Sequence, residues 1–165
     1  MKQLWAPWRM TYIDQGVKES NCIFCEKYRE DDLRTALVLQ ESDHSVVMMN
    51  KYPYSNGHLL IAPKRHENDP GRLPSEEFID LNQTLRHALG IVIQAFQPGG
   101  VNLGMNLGKC AGAGIEKHLH WHIVPRWEGD TNFMPVIAET RVIPQHLLDS
   151  YDRLRPLFAN LDFVP

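Results

Sequence analysis

His118-Leu119-His120-Trp121-His122-Ile123-Val124 alternates imidazoles with apolar side chains, and this stretch decides how the rest of the chain is read. A strand sends successive residues to opposite faces. Three rings are therefore predicted on one side, about 6.6 to 6.8 Å apart, with Leu119, Trp121 and Ile123 facing a core. A strand that merely had a wet face would be served as well by Thr, Lys or Glu, so the pattern points to chemistry. With an unperturbed pKa of about 6.5, an imidazole works near neutrality as nucleophile, general base or metal ligand. Three readings stay open on the residues alone: a metal site, a nucleophile toward phosphorus whose neighbours fix its tautomer, and a binding surface without turnover.

Working outward, Leu107–Lys117 reads as a loop, and its glycines (Gly108, Gly112, Gly114) offer backbone N–H groups to an anion. Val101–Asn106 reads as a strand before it. A helix is predicted over Ser75–Phe96, with Ser75 as N-cap and Glu76 and Glu77 at the positive end of the dipole. Phe78, Leu81, Leu85, Leu89, Val92 and Phe96 recur at helical spacing and should face a sheet. Thr35–Gln40, Ser45–Asn50 and His58–Ala62 read as three further strands, and residues 27–34 as a solvated charged loop. After Pro144 a shorter helix should present Leu147, Leu148, Tyr151, Leu154 and Leu157 on one side. Hairpin-length turns between grouped strands predict an α+β fold with an antiparallel sheet.

Bulk properties narrow the function. The 165 residues suffice for one domain with a proper core, at 43% hydrophobic and 22% charged content. A net charge of -3 argues against nucleic-acid binding as the main task. No apolar run approaches a membrane span and the first residues are too polar for a signal peptide, so a cytoplasmic place without membrane attachment is expected. Cys22 and Cys25 form C-x-x-C, which in a reducing compartment suggests a metal or redox site over a disulfide. Structural zinc would need two more ligands, with His58, His66 and His118 as candidates. Two cysteines that only pack in the core remain the other reading.

Several residues have ordinary roles. Trp5, Trp8 and Trp121 are expected in the core or an interface, His44 in a solvated turn and His146 at an exposed helix start. Cys110 is taken as a small loop residue. Of Met48 and Met49, one should pack in the core while the other meets a base in an apolar pocket.

His-x-His-x-His followed by apolar residues resembles the signature of the histidine-triad (HIT) superfamily of nucleotide hydrolases and nucleotidyl transferases. The motifs Leu4–Arg9, Cys22–Cys25, Asn50–His58 and Pro63–His66 fall in that family's order, and Pro125-Arg126-Trp127 with Gly129–Val136 is similar to the Fhit-like branch, which includes bacterial diadenosine tetraphosphate phosphorylases. The resemblance implies a HIT-like fold: a five-stranded antiparallel sheet with one long and one short helix, dimerising as a homodimer. One domain would span residues 1–165, with an N-terminal segment to about 30 and a helical tail from about 140. It also implies an adenine nucleotide substrate and no organic cofactor. His120 would attack phosphorus, with His118, His122 and His58 supporting it. Asn50, Asn106, Gly112, Gly114 and Met48 would contact the nucleotide. Cys22, Cys25, His66 and His118 would hold a structural zinc. Many members carry Gln-Ser or Gln-Thr shortly before the triad, where this chain has Gly114-Ile115-Glu116-Lys117. That departure makes phosphate a live alternative to water as the acceptor.

Overall fold

The structure, a computed structural model, describes residues 22–130 and 143–159. The Leu4–Arg9 motif with Trp5 and Trp8, and the Thr131–Val136 part of the Fhit-like stretch, lie outside them. Five strands are present, β1 (Val38–Glu41), β2 (Ser45–Met49), β3 (Leu59–Pro63), β4 (Gly100–Met105) and β5 (Trp121–Arg126). They form one sheet in the order β1-β2-β3-β5-β4, antiparallel at every pairing. A short helix α1 (Ile23–Glu26) precedes them, α2 (Ser75–Phe96) links β3 to β4, and α3 (Leu147–Ala159) follows the sheet.

Alternation along the strands divides the core in two. Leu39, Val47, Met49, Leu59, Ile61, Leu119 and Ile123 meet α2 and α3 on one face. Val38, Val46, Met48, Leu60 and Ala62 turn to the other, under Phe24 of α1. The inward stripe of α2 runs Glu77, Leu81, Thr84, Leu85, Ala88, Ile91, Val92, Ala95. Phe78, expected on it, is 43% exposed. Glu77 takes the inward place in that turn, and Phe78 lies one residue, about 100°, away. The cap also differs: Pro74 occupies the N-cap position and Ser75 begins the helix without a side-chain cap bond. On α3 the buried stripe is Ser150, Tyr151, Leu154 and Phe158, of which Ser150 and Phe158 were not foreseen, while Leu147, Leu148 and Leu157 pack partly buried against the core. The Tyr151 hydroxyl ties α3 to β1 by donating to the Val38 carbonyl at 2.9 Å.

Two strands begin later than expected, for identifiable reasons. Residues 35–37 form a turn instead of the start of β1. Asp32 accepts bonds from the amides of Arg34 and Thr35 and from the Thr35 hydroxyl, and Leu37 takes φ +63. The histidine strand enters the ladder only at Trp121, paired with Ile61. Two residues on, the partner of Leu119 would be Pro63, which has no N–H to donate. The Leu119 amide instead donates to the Glu67 carbonyl at 2.7 Å.

Candidate functional site

The predicted alternation survives where the ladder does not. Leu119 and Ile123 are buried on the helix side. The rings of His118, His120 and His122 gather on the other, those of His120 and His122 with centroids 4.8 Å apart. His118 and His58 are fully buried and His120 is 4% exposed. Burial disfavours the charged imidazole. It pushes His118 and His122 down to about 4, and His120 below its ordinary value as well. All three rings are neutral near pH 7, so each has one N–H and one lone pair.

Fixed backbone groups decide which nitrogen carries which. The Tyr54 amide can only donate, and it lies 3.0 Å from His58 Nδ1, with Asn50 Nδ2 at 3.3 Å. His58 Nδ1 is thereby the acceptor and Nε2 holds the proton. That Nε2–H donates to His122 Nδ1 at 2.9 Å, which leaves His122 Nε2 as a donor. His120 Nδ1 lies 2.9 Å from the His118 carbonyl and donates to it, so His120 Nε2 keeps its lone pair. His118 Nε2 donates to the Pro63 carbonyl at 2.8 Å, and its lone pair is on Nδ1. One nucleophilic nitrogen beside one N–H donor suits attack on a phosphoryl group.

The His118 lone pair meets the cysteines. Its Nδ1 is 3.2 Å from Cys22 Sγ and 3.6 Å from Cys25 Sγ, and His66 Nδ1 is 3.2 Å from Cys25 Sγ. The four donor atoms lie within 4.8 Å of one another. Bonds of about 2.3 Å to sulfur and 2.0–2.1 Å to nitrogen put tetrahedral N···S edges at roughly 3.5–3.6 Å, so the set fits a zinc-sized soft cation. His118 donating its other nitrogen to a carbonyl is the usual outer support of a ligating imidazole. Among the three candidates for completing C-x-x-C, His66 and His118 stand there, while His58 is in the hydrogen-bonded chain. Without a cation the Cys25 thiol is pushed up to about 11, by burial and then by Cys22. A divalent cation reverses that balance.

The remaining expected residues are placed less simply. Asn50 is half-buried, and its Oδ1 accepts from the Tyr52 amide at 2.9 Å while Nδ2 faces His58. Asn106 donates to the Gly112 carbonyl at 3.3 Å and so braces the glycine loop. Within that loop the amides of Ala111, Gly112 and Ala113 bond to the carbonyls of Gly108 and Lys109. The expectation of a free N–H is corrected for Gly112, whose amide closes a 3-10 turn at Lys109–Ala111. Met48 and Met49 are both buried, at 3% and 2%, Met48 in the cluster under Phe24. His146 accepts from the Leu148 amide at the start of α3, and Cys110 is exposed.

Two residues of the site were not foreseen. Phe24, between the two cysteines, has its ring 4.8 Å from that of His120. Tyr54 stacks beside His122 at 6.0 Å and 12° and lies 4.7 Å from His58. Their sequence signal was position alone, each lying inside a motif already quoted.

Residues 33–129 match the family model described as the HIT domain. The chain is 34% identical over 157 residues to the AP-4-A phosphorylase of Mycobacterium tuberculosis, covering 91% of this chain and 80% of that protein. It is 32% identical over 98 residues to the bis(5'-adenosyl)-triphosphatase of Dictyostelium discoideum, covering 59% and 65%. In fold it resembles a Zn-bound histidine triad family protein from Mycobacterium smegmatis, with a TM-score of 0.63 and 22% identity over 84% of this chain and 94% of that one. The chain belongs to the HIT family.

Proposed function

We propose that the protein is a nucleotide hydrolase or transferase that cleaves a phosphoanhydride of a dinucleoside polyphosphate, such as diadenosine tetraphosphate, through a nucleotidyl intermediate on His120. The single observation that carries this reading is the His120 Nδ1 bond to the His118 carbonyl, which leaves the lone pair on Nε2. That nitrogen attacks the α-phosphorus. The P–O bond to the β-phosphate breaks, and the nucleoside triphosphate departs with the electron pair. Positive charge left on the imidazole is shared through Nδ1–H with the His118 carbonyl. His122 offers its Nε2–H to a phosphoryl oxygen, held in that tautomer by His58. Asn50, Asn106, Gly114 and Met48 are the proposed nucleotide contacts; Gly112 contributes its backbone fold.

Cys22, Cys25, His66 and His118 would hold zinc, supported by the donor set and by the Zn-bound relative. Bound there, the cation would cross-link α1 to the triad. Residues 1–165 are read as one domain, in a cytoplasmic homodimer. The edge of β4, unpaired among the described residues and with Leu103 44% exposed, supports the second subunit.

A second reading has its own support. Similarity to a phosphorylase over nine-tenths of the chain, and Glu116-Lys117 where many members carry Gln-Ser or Gln-Thr, favour phosphate as the acceptor. Product analysis with diadenosine tetraphosphate, with and without inorganic phosphate, separates the two. AMP plus ATP regardless of phosphate means hydrolysis. ADP plus ATP only with phosphate means phosphorolysis. No product from either mixture overturns the substrate assignment.

A further inference from the structure

Gly104 lies inside β4, where a glycine costs backbone entropy and packs nothing. The usual structural causes are missing. Its φ is not among the positive ones, and among the described residues a Cβ built on it meets nothing within 4 Å. Gly57 differs on both counts, with φ +69 and the Phe96 ring against its would-be Cβ.

The register shows what the bare position adjoins. Gly104 pairs with His122, and such partners share a face, their Cβ positions about 4.5–5.5 Å apart. A neighbouring ring sometimes covers a strand glycine, but His122 turns the other way. It bonds to His58 at 2.9 Å and packs beside His120. An interior strand glycine with neither positive φ nor a crowded Cβ position often marks the close approach of a ligand or of another backbone, and here it stands beside the triad.

We propose that Gly104 is a specificity-determining residue: bare backbone beside His122 admits the phosphate chain that continues from the attacked phosphorus to the second nucleoside. This rests on the dinucleoside polyphosphate reading above. A mononucleotide ends at the attacked phosphorus and leaves the space unused.

The test is calorimetric titration with AMP and with diadenosine tetraphosphate, comparing Gly104 with Gly104→Val on a His120→Asn background that removes turnover. Valine favours strands and strikes nothing, so the thermal midpoint should hold or rise. Affinity for diadenosine tetraphosphate should fall about tenfold or more, while AMP binding stays unchanged. Gly104→Ala should move affinity the same way by less, and it serves if the valine variant misfolds. Equal losses for both nucleotides, no loss, or a changed oligomeric state would overturn the inference and leave the substrate reading standing. Failure of the Gly104 protein to bind either nucleotide would overturn both.

Discussion

The Phe24 ring lies 4.8 Å from the His120 ring, tilted by 36°, and 5.1 Å from that of His118. Phe24 is fully buried and stands between Cys22 and Cys25, so whatever fixes the cysteines also fixes the wall behind the proposed nucleophile. Phe24→Leu removes the ring while keeping an apolar filling, at a cost below the roughly 3–5 kcal/mol of a buried Phe→Ala change. The rate of nucleotidyl-enzyme formation should fall by about tenfold or more, with KM little changed. Leu154→Ala, on the far face of the sheet, should cost comparable or greater stability without that kinetic effect. Equal kinetic losses in the two variants would reduce Phe24 to ordinary packing.

Metal removal should separate scaffold from chemistry. Protein purified without chelator is expected to carry about one zinc per chain. A cation held at a free concentration of 100 times Kd stabilises by about 2.7 kcal/mol, which at this size is roughly 5–10 °C of thermal midpoint. Chelation, or Cys22→Ser, should lower the midpoint by that order. Metal analysis beside thermal unfolding checks it; an unchanged midpoint in metal-free protein would leave the cysteines as core packing.

The His58–His122 bond predicts a kinetic loss with the fold retained. His58→Phe keeps volume in a fully buried place but removes the proton that His58 Nε2 gives to His122 Nδ1. His122 then loses its fixed tautomer, and kcat should fall by about 10²-fold. Nitrogen-15 spectra of the histidines should show His122 as a tautomer mixture in the variant and as a single Nε2–H form in the parent.

Acid stability should depend on Glu77. Arg65 bonds to it in a bidentate pair, which holds the carboxyl below the usual carboxylate range, the hydrogen bond being the main cause. A carboxyl with a lowered folded pKa stabilises above its unfolded value, about 4.3. That stabilisation is lost as pH falls through the lower folded value. The midpoint difference between the parent and Glu77→Gln should therefore be largest near pH 6 and shrink steadily below about 4.3. A pH-independent difference would mean that the charge contributes nothing.

What the sequence revealed depended on how local the cause was. The triad's one-sided display follows from two-residue alternation and was legible even where no ladder forms. α2 was legible in its bounds because its apolar repeat is long. Its cap and the exposure of Phe78 were not, since Glu77 is drawn inward by Arg65, a partner twelve residues away in sequence. The start of β1 was hidden because Thr35–Leu37 runs straight into Val38-Leu39 without a Gly or Pro to mark the turn, whereas the Asp32 side chain decides it. His66, exposed after Lys64-Arg65, was one of three candidates to complete C-x-x-C on the residues alone and was singled out by the resemblance, and the fold sets its Nδ1 beside Cys25. Phe24 carried no signal beyond its place between Cys22 and Cys25 until α1 laid it against His120.

Pro63 ends the β3–β5 pairing and receives the His118 Nε2–H. The two facts constrain each other. A residue with an N–H at 63 would invite one more rung between the strands, and drawing Leu119 into it would rotate His118 away from the cysteines. Growth of the sheet and the placement of His118 beside the cysteines therefore compete in this chain, and the triad begins at the boundary where backbone pairing gives out.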